Sequence, residues 1–145
     1  MHFSEKKKKM RRRYHDEEVS TLKDKLKWLI SKFKRPLMML GRAGASLLRI
    51  AGSMLKWFNI LAGAREVYQY VQIRTKLQQA SRAIDSIASQ ILGSESEAAF
   101  YQSGISLAGK EAKAAFFSKM LRRLIGVALG IIAEELARAA RHALS

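Results

Sequence analysis

The sequence contains no cysteine and only one proline, Pro36, among its 145 residues. Without cysteine the chain forms no disulfide, carries no thiol nucleophile and offers no thiolate ligand to zinc or an iron–sulfur cluster. Strand signals are also missing, because β-branched residues nowhere alternate with polar residues over a sustained stretch. Since so little interrupts helices, we predict an all-α protein.

Acidic residues are scarce: 12 Asp and Glu stand against 27 Lys and Arg, which gives a net charge of +15. The excess is concentrated near the beginning, where the first 56 residues hold 16 basic and 5 acidic side chains. A positive field of this size attracts polyanions, meaning nucleic acid or anionic lipid. The hydrophobic fraction of 48% is ordinary for a globular protein, so we also expect a folded body with a buried core.

Residues 1–15 form a basic N-terminal arm, with seven cations in eight positions: Lys6, Lys7, Lys8, Lys9, Arg11, Arg12 and Arg13. Charges this dense repel one another and present no apolar face, so we predict an extended or disordered arm that contacts phosphates without reading bases. No apolar signal-peptide segment follows the cations. We therefore expect a protein that is intracellular or lies within a particle, and the compartment itself stays unknown.

Residues 16–145 are predicted to form a single helical domain, a bundle of four to five helices at about 17–34, 36–62, 64–92, 95–103 and 107–142. Pro36 favours a new helix start, because proline suits the first helical turn and disfavours helix before it. Gly93 and the capping box from Ser94 to Glu97 predict a second boundary. We expect residues 64–92 and 110–142 to form a long antiparallel pair.

Helix-packing residues follow from spacings of three and four. The segment 64–92 has an a/d seam suited to packing on a neighbouring helix, formed by Tyr70, Ile73, Leu77, Ile84, Ile87 and Ile91. In the last helix, residues 124–133 are apolar all round, which indicates deep burial. Gly126 and Gly130 have G-x-x-x-G spacing, and we expect them to admit a close neighbouring helix.

Four further cations recur every seven residues: Arg35, Arg42, Arg49 and Lys56. Seven steps of about 100° return nearly to the starting direction, so these residues line one edge of a helix whose other positions are mostly apolar. Three interpretations remain open at this point. The edge extends the polyanion surface of the arm, or it borders an apolar face that lies in a lipid interface, or it is the solvated side of a core helix.

Catalytic and metal sites have little support in the sequence. The three histidines are His2, His15 and His142, and none has a second histidine at ligand spacing on one helix face. We therefore predict a protein that is not an enzyme and that has no catalytic, metal or cofactor-binding residues.

The preferred functional hypothesis is a non-enzymatic structural or assembly subunit of a larger complex, such as a virion or nucleoprotein-like particle. Its basic N-terminal third would bind an anionic polymer, nucleic acid above all, without sequence specificity, while apolar faces pack on other protein subunits. The alternative is a peripheral membrane or helical pore-forming component that inserts residues 37–63 and 110–142 at an anionic lipid surface.

Overall fold

The computed structural model describes the backbone of residues 2–103 and 109–144, and the side chains of residues 5–92 and 109–144. Within these ranges the chain forms four helices and no strand: α1 (His2–Met38), α2 (Gly41–Gly63), α3 (Val67–Ser103) and α4 (Lys110–Leu144). The prediction of an all-α bundle is confirmed.

Each helix buries one stripe of apolar side chains. On α1 the stripe follows spacings of three and four, as the 3.6-residue period requires, through Val19, Leu22, Leu26, Leu29, Phe33 and Leu37. The helices α1 and α2 pack on each other, α2 packs on α3, α3 on α4, and α4 on α1. Phe58 of α2 and Phe117 of α4, both fully buried, are among the largest side chains in the shared core.

The boundary predicted at Pro36 is wrong, because α1 continues through this residue to Met38. Proline lacks the N–H that would bond the Lys32 carbonyl and its ring crowds that carbonyl, so the cost falls near the end of the helix, where only Leu37 and Met38 follow. Burial of Leu37 favours one more turn of α1. The chain then reverses at Gly41, whose φ of 67° suits glycine, and a Cβ on Gly44 would overlap the Leu37 carbonyl.

The extended arm is not confirmed, since residues 2–15 form the first turns of α1. A helix anchored downstream by a buried stripe has already overcome the cost of nucleation, and lysine and arginine are good helix formers. Continuing the helix by a few turns therefore costs less than starting one in an isolated basic peptide.

The boundary predicted at Gly93 is also absent, because α3 runs on to Ser103 and includes the segment predicted as a separate helix at 95–103. The last helix begins at Lys110, after Gly109 with a φ of 109°, and extends to Leu144. The start predicted at residue 107 lies outside the described residues.

Candidate nucleic-acid interface

The first basic surface lies on α1, around residues 6–13. Helical geometry spreads consecutive side chains by about 100° each, so these cations point to every side of the helix over a length of about 12 Å. Six of the seven are exposed: Lys6, Lys7, Lys8, Lys9, Arg11 and Arg13. We call these six residues the α1 basic segment.

Arg12 differs from the other six because it is partly buried and serves the fold. Its Nη2 donates a hydrogen bond of 2.9 Å to the carbonyl oxygen of Ala64, 52 residues away, and its Nε is buried without a hydrogen-bond partner. Arg12 is one of the polyanion-binding residues predicted from the sequence. The structure instead uses it to fasten α1 to the connection between α2 and α3.

His15 provides a second attachment one turn later. The ring is buried, and its Nε2 lies 3.1 Å from the carbonyl oxygen of Leu61, a geometry in which Nε2 donates. Its Nδ1 lies 3.8 Å from a carboxylate oxygen of Glu135 on α4, and the ring meets Tyr70 edge-on, with 6.3 Å between centroids. These contacts join α1 to the other three helices, so the α1 basic segment extends from a fixed base.

Tyr70 completes this attachment. Its hydroxyl donates to the Ala64 carbonyl over 3.0 Å, and that oxygen also accepts from Arg12 and Arg65. Burial raises the pKa of the Tyr70 hydroxyl, and the negative charge of Glu135 raises it further, while Arg12 acts in the opposite direction.

The seven-residue series of cations is divided between two helices. Arg35 lies on α1, and the turn before Gly41 separates it from Arg42, Arg49 and Lys56 on α2. All four are exposed. The expectation of one continuous edge is therefore wrong for Arg35, and the series on α2 has three members.

The second basic surface is a groove of about 530 Å³ between α2 and α3. We call it the basic groove; it is lined by Ser46, Arg49, Ile50, Ser53, Trp57, Lys76, Gln79, Ala80 and Ala83. Arg49 donates to the hydroxyl of Ser46 over 3.2 Å. The ammonium groups of Lys56 and Lys76 lie 5.5 and 5.8 Å from the centre of the Trp57 ring, within cation–π range.

The groove combines chemical groups that suit a single nucleic-acid strand. A guanidinium, an ammonium and two hydroxyls can bind phosphate oxygens, and an indole can stack on a base. Lys76 and Gln79 were not singled out in the sequence. Each directly precedes a residue at the packed face of α3, Leu77 and Ala80, and this position beside a helix seam is the signal that would have identified them.

The predicted packing residues divide into two groups. Tyr70, Ile73, Leu77 and Ile84 are buried in the core, and Ile87 and Ile91 pack against it, half-buried. Gly126 and Gly130, in contrast, are exposed on α4, and a Cβ at either position would meet open space. Among the described residues no helix approaches these two glycines, so the expected close packing is absent within the bundle.

The described residues also bear on metal sites and on membrane-spanning segments. They include no cluster of three or more histidine, aspartate or glutamate side chains able to hold a metal ion. Of the helical segments described, none combines the length and the apolar character needed to span a bilayer. The chain matches no protein-family model, and neither a curated protein nor a solved structure was found to be similar to it.

Proposed function

We propose that this protein is a non-enzymatic assembly subunit that binds nucleic acid through phosphate contacts, without sequence specificity. The observation that carries the proposal is the α1 basic segment, six exposed cations on a helix that Arg12 and His15 fasten to the bundle. Fixed cations bind a polyanion with less loss of conformational entropy than a flexible tail, because the helix is already ordered.

The basic groove extends this binding surface in the proposal. Arg49 and Lys76 would contact phosphates of a single strand, and Trp57 would stack on a base in place of one of its lysine neighbours. Duplexes would bind mainly through the α1 basic segment. The groove would then give single strands a contact that duplexes lack.

A long antiparallel pair of α3 and α4 belongs to the same proposal, since it provides the rigid body behind both surfaces. Two contacts support the proposal that α3 and α4 run in opposite directions. Arg122 of α4 donates to Asp85 of α3 over 2.6 Å, while Tyr70, early in α3, lies beside Arg138, late in α4.

Salt dependence tests the proposal on a fluorescent duplex. A protein that neutralises about six phosphates loses about 10³-fold in affinity between 50 and 200 mM salt. Substituting Lys7, Lys8 and Lys9 by Gln should make the negative slope of log affinity against log salt less steep by about 2.7.

The matched control removes three lysines from the other end of the same helix, Lys27, Lys32 and Lys34, which are also exposed. This control changes the net charge equally, so the slope should change far less if the α1 basic segment makes the contacts. Equal effects of the two variants, or absence of binding at low salt, would contradict the proposal.

A second candidate is contact with an anionic membrane surface. It is favoured by Met38 and Met39, each 61% exposed, beside the cations Arg35 and Arg42 at the turn between α1 and α2. Deeper insertion would require the bundle to open, because Leu47, Met54 and other apolar residues of α2 are fully buried. Binding to phosphatidylserine vesicles that persists at high salt and is lost in Met38→Gln/Met39→Gln would favour this candidate over nucleic acid.

A further inference from the structure

A second groove, between α1 and α4, differs from the basic groove in having both signs of charge. Its volume is about 570 Å³. We call it the mixed groove; it is lined by Glu18, Thr21, Leu22, Lys25, Met120, Arg123, Leu124, Val127, Gly130, Ile131 and Glu134. The floor is apolar, and Val127 is 54% exposed, a large value for valine in a helical bundle.

The charges of the mixed groove are separated along its length. His15 of α1 lies beside Glu135 of α4, and Phe33 packs on Phe116 and Phe117, so the two helices run in opposite directions. Glu18 and Glu134 therefore lie at one end, and Lys25 and Arg123 lie at the other. The groove is acidic at one end and basic at the other.

A groove with this polarity is complementary to a copy of itself turned end to end. A two-fold axis that crosses both helices places α1 on α1 and α4 on α4 of the second copy, in opposite directions. Glu134 then faces Arg123 of the second copy, and Glu18 faces Lys25. The other in-plane axis, parallel to the helices, would bring like charges together and is disfavoured.

The same axis also matches shapes. On α4 the two-fold axis passes between residues 128 and 129, midway between Arg123 and Glu134. Residues at equal distances from this point face each other, so Val127 faces Gly130 of the second copy. Val127 is exposed, and Gly130 has open space where a side chain would be. An exposed apolar side chain thus meets a position without one, which allows the two α4 helices to approach closely.

We propose that the mixed groove is a homodimer interface, in which a second copy of this chain covers the groove about a two-fold axis near Val127 and Thr21. This gives the assembly role proposed above a defined surface and partner. It does not depend on nucleic-acid binding, because none of the residues of the α1 basic segment lines this groove.

The test measures molecular mass by sedimentation equilibrium on protein freed of nucleic acid, at concentrations up to about 500 µM, where a micromolar Kd gives mostly dimer. We expect the wild type to dimerise. Val127→Arg, a substitution at an exposed position, should raise the dimer Kd at least about tenfold, because it buries an unpaired charge.

A charge swap makes the test specific for the proposed axis. Glu134→Arg alone should raise the Kd at least about tenfold, and adding Arg123→Glu should restore dimerisation, because the two substituted side chains face each other across the axis. Glu111→Arg, the same change near the start of α4 and outside the groove, should have no effect.

Three results would overturn the proposal: a wild type that is monomeric at the highest concentration, a dimer that tolerates Val127→Arg, or a double variant that fails to recover. Circular dichroism of each variant separates loss of the dimer from loss of the fold. If nucleic-acid binding fails while the dimer behaves as expected, only the proposed function is wrong.

Discussion

The basic groove and the mixed groove have similar volumes, about 530 and 570 Å³, but different charged rims. The basic groove has cations, hydroxyls and one tryptophan. The mixed groove has two acids, two bases and an apolar floor. Both arise from the same packing of neighbouring helices, so the packing alone does not select a partner. The charged rim selects the partner, because charges of one sign suit a polyanion and separated charges of both signs suit a second copy of the chain.

Reversing two charges in each groove tests whether the two rims select different partners. Arg49→Glu/Lys76→Glu should weaken binding of a short single strand at least about tenfold, because it removes two phosphate contacts and adds repulsion. Lys25→Glu/Arg123→Glu changes the net charge equally. It should leave that affinity within about threefold while raising the dimer Kd.

Fluorescence anisotropy on a strand with room for one protomer, together with sedimentation, measures both effects. Equal losses of strand affinity in the two variants would mean that net charge alone governs binding. The distinction between the grooves would then fail.

The two tryptophans give a smaller but more local comparison. Trp57 borders the basic groove, and Trp28 is an exposed residue of α1 with Lys32 over its ring. A stacked base is worth about 1–3 kcal/mol, so Trp57→Ala should weaken single-strand binding about fivefold or more. Trp28→Ala should not weaken this binding.

The chain has only two tryptophans, so Trp28→Phe leaves Trp57 as the only fluorescent tryptophan. An oligonucleotide bound in the basic groove should quench its emission. Absence of quenching in Trp28→Phe, with quenching of Trp28 in the reciprocal variant Trp57→Phe, would place the strand elsewhere.

Substitutions at two exposed glycines allow the stability of the fold and the affinity of the dimer to be measured separately. Gly130 lies in the mixed groove, and Gly52 lies on the exposed side of α2; a Cβ would meet open space at both. Substitution by Ala should stabilise either helix by about 0.5–1 kcal/mol, since Ala has the higher helix propensity. Thermal unfolding at low concentration measures this gain. Only Gly130→Ala should also weaken the dimer, because its methyl group occupies the space facing Val127. A dimer unaffected by Gly130→Ala would argue against close approach of the two α4 helices.

The core was predictable from the sequence to a greater extent than the helix ends. Spacings of three and four identified the buried stripe of α1 from Val19 to Phe33 and the seam of α3 from Tyr70 to Ile84, because apolar periodicity reports directly which face is buried. The signals at Pro36 and Gly93 are local. Helix continuity outweighed both of them, and nothing in the local sequence reports how strongly the flanking turns are held.

The candidate site was only partly predictable for a related reason. The charge of residues 6–13 is visible in the sequence, but the difference between Arg12 and its neighbours depends on Ala64, a contact 52 residues away. The sequence prediction places His15 at the end of the basic N-terminal arm. Extending the apolar stripe from Val19 back by four residues reaches His15, so the helical spacing already predicts that His15 lies on the buried face.

The attachment formed by Arg12, His15 and Tyr70 gives an effect of similar size, with a pH dependence. Tyr70→Phe removes a hydroxyl that donates to the carbonyl oxygen of Ala64 while leaving two arginine donors on that oxygen, so at neutral pH we expect a loss of about 1 kcal/mol in the free energy of unfolding.

The raised pKa of Tyr70 adds a pH dependence of defined sign. The unfolded chain releases this proton at a lower pH than the folded chain, so the stability that Tyr70 contributes is full below pH 10 and is lost as pH rises through the folded pKa. The stability gap between wild type and Tyr70→Phe should therefore narrow above about pH 10. Urea unfolding across this range measures the gap, and Tyr14→Phe, at a residue 69% exposed, is the matched control that should cost far less than about 1 kcal/mol at neutral pH. A gap of constant size would mean that burial and Glu135 do not hold the Tyr70 proton in the folded protein.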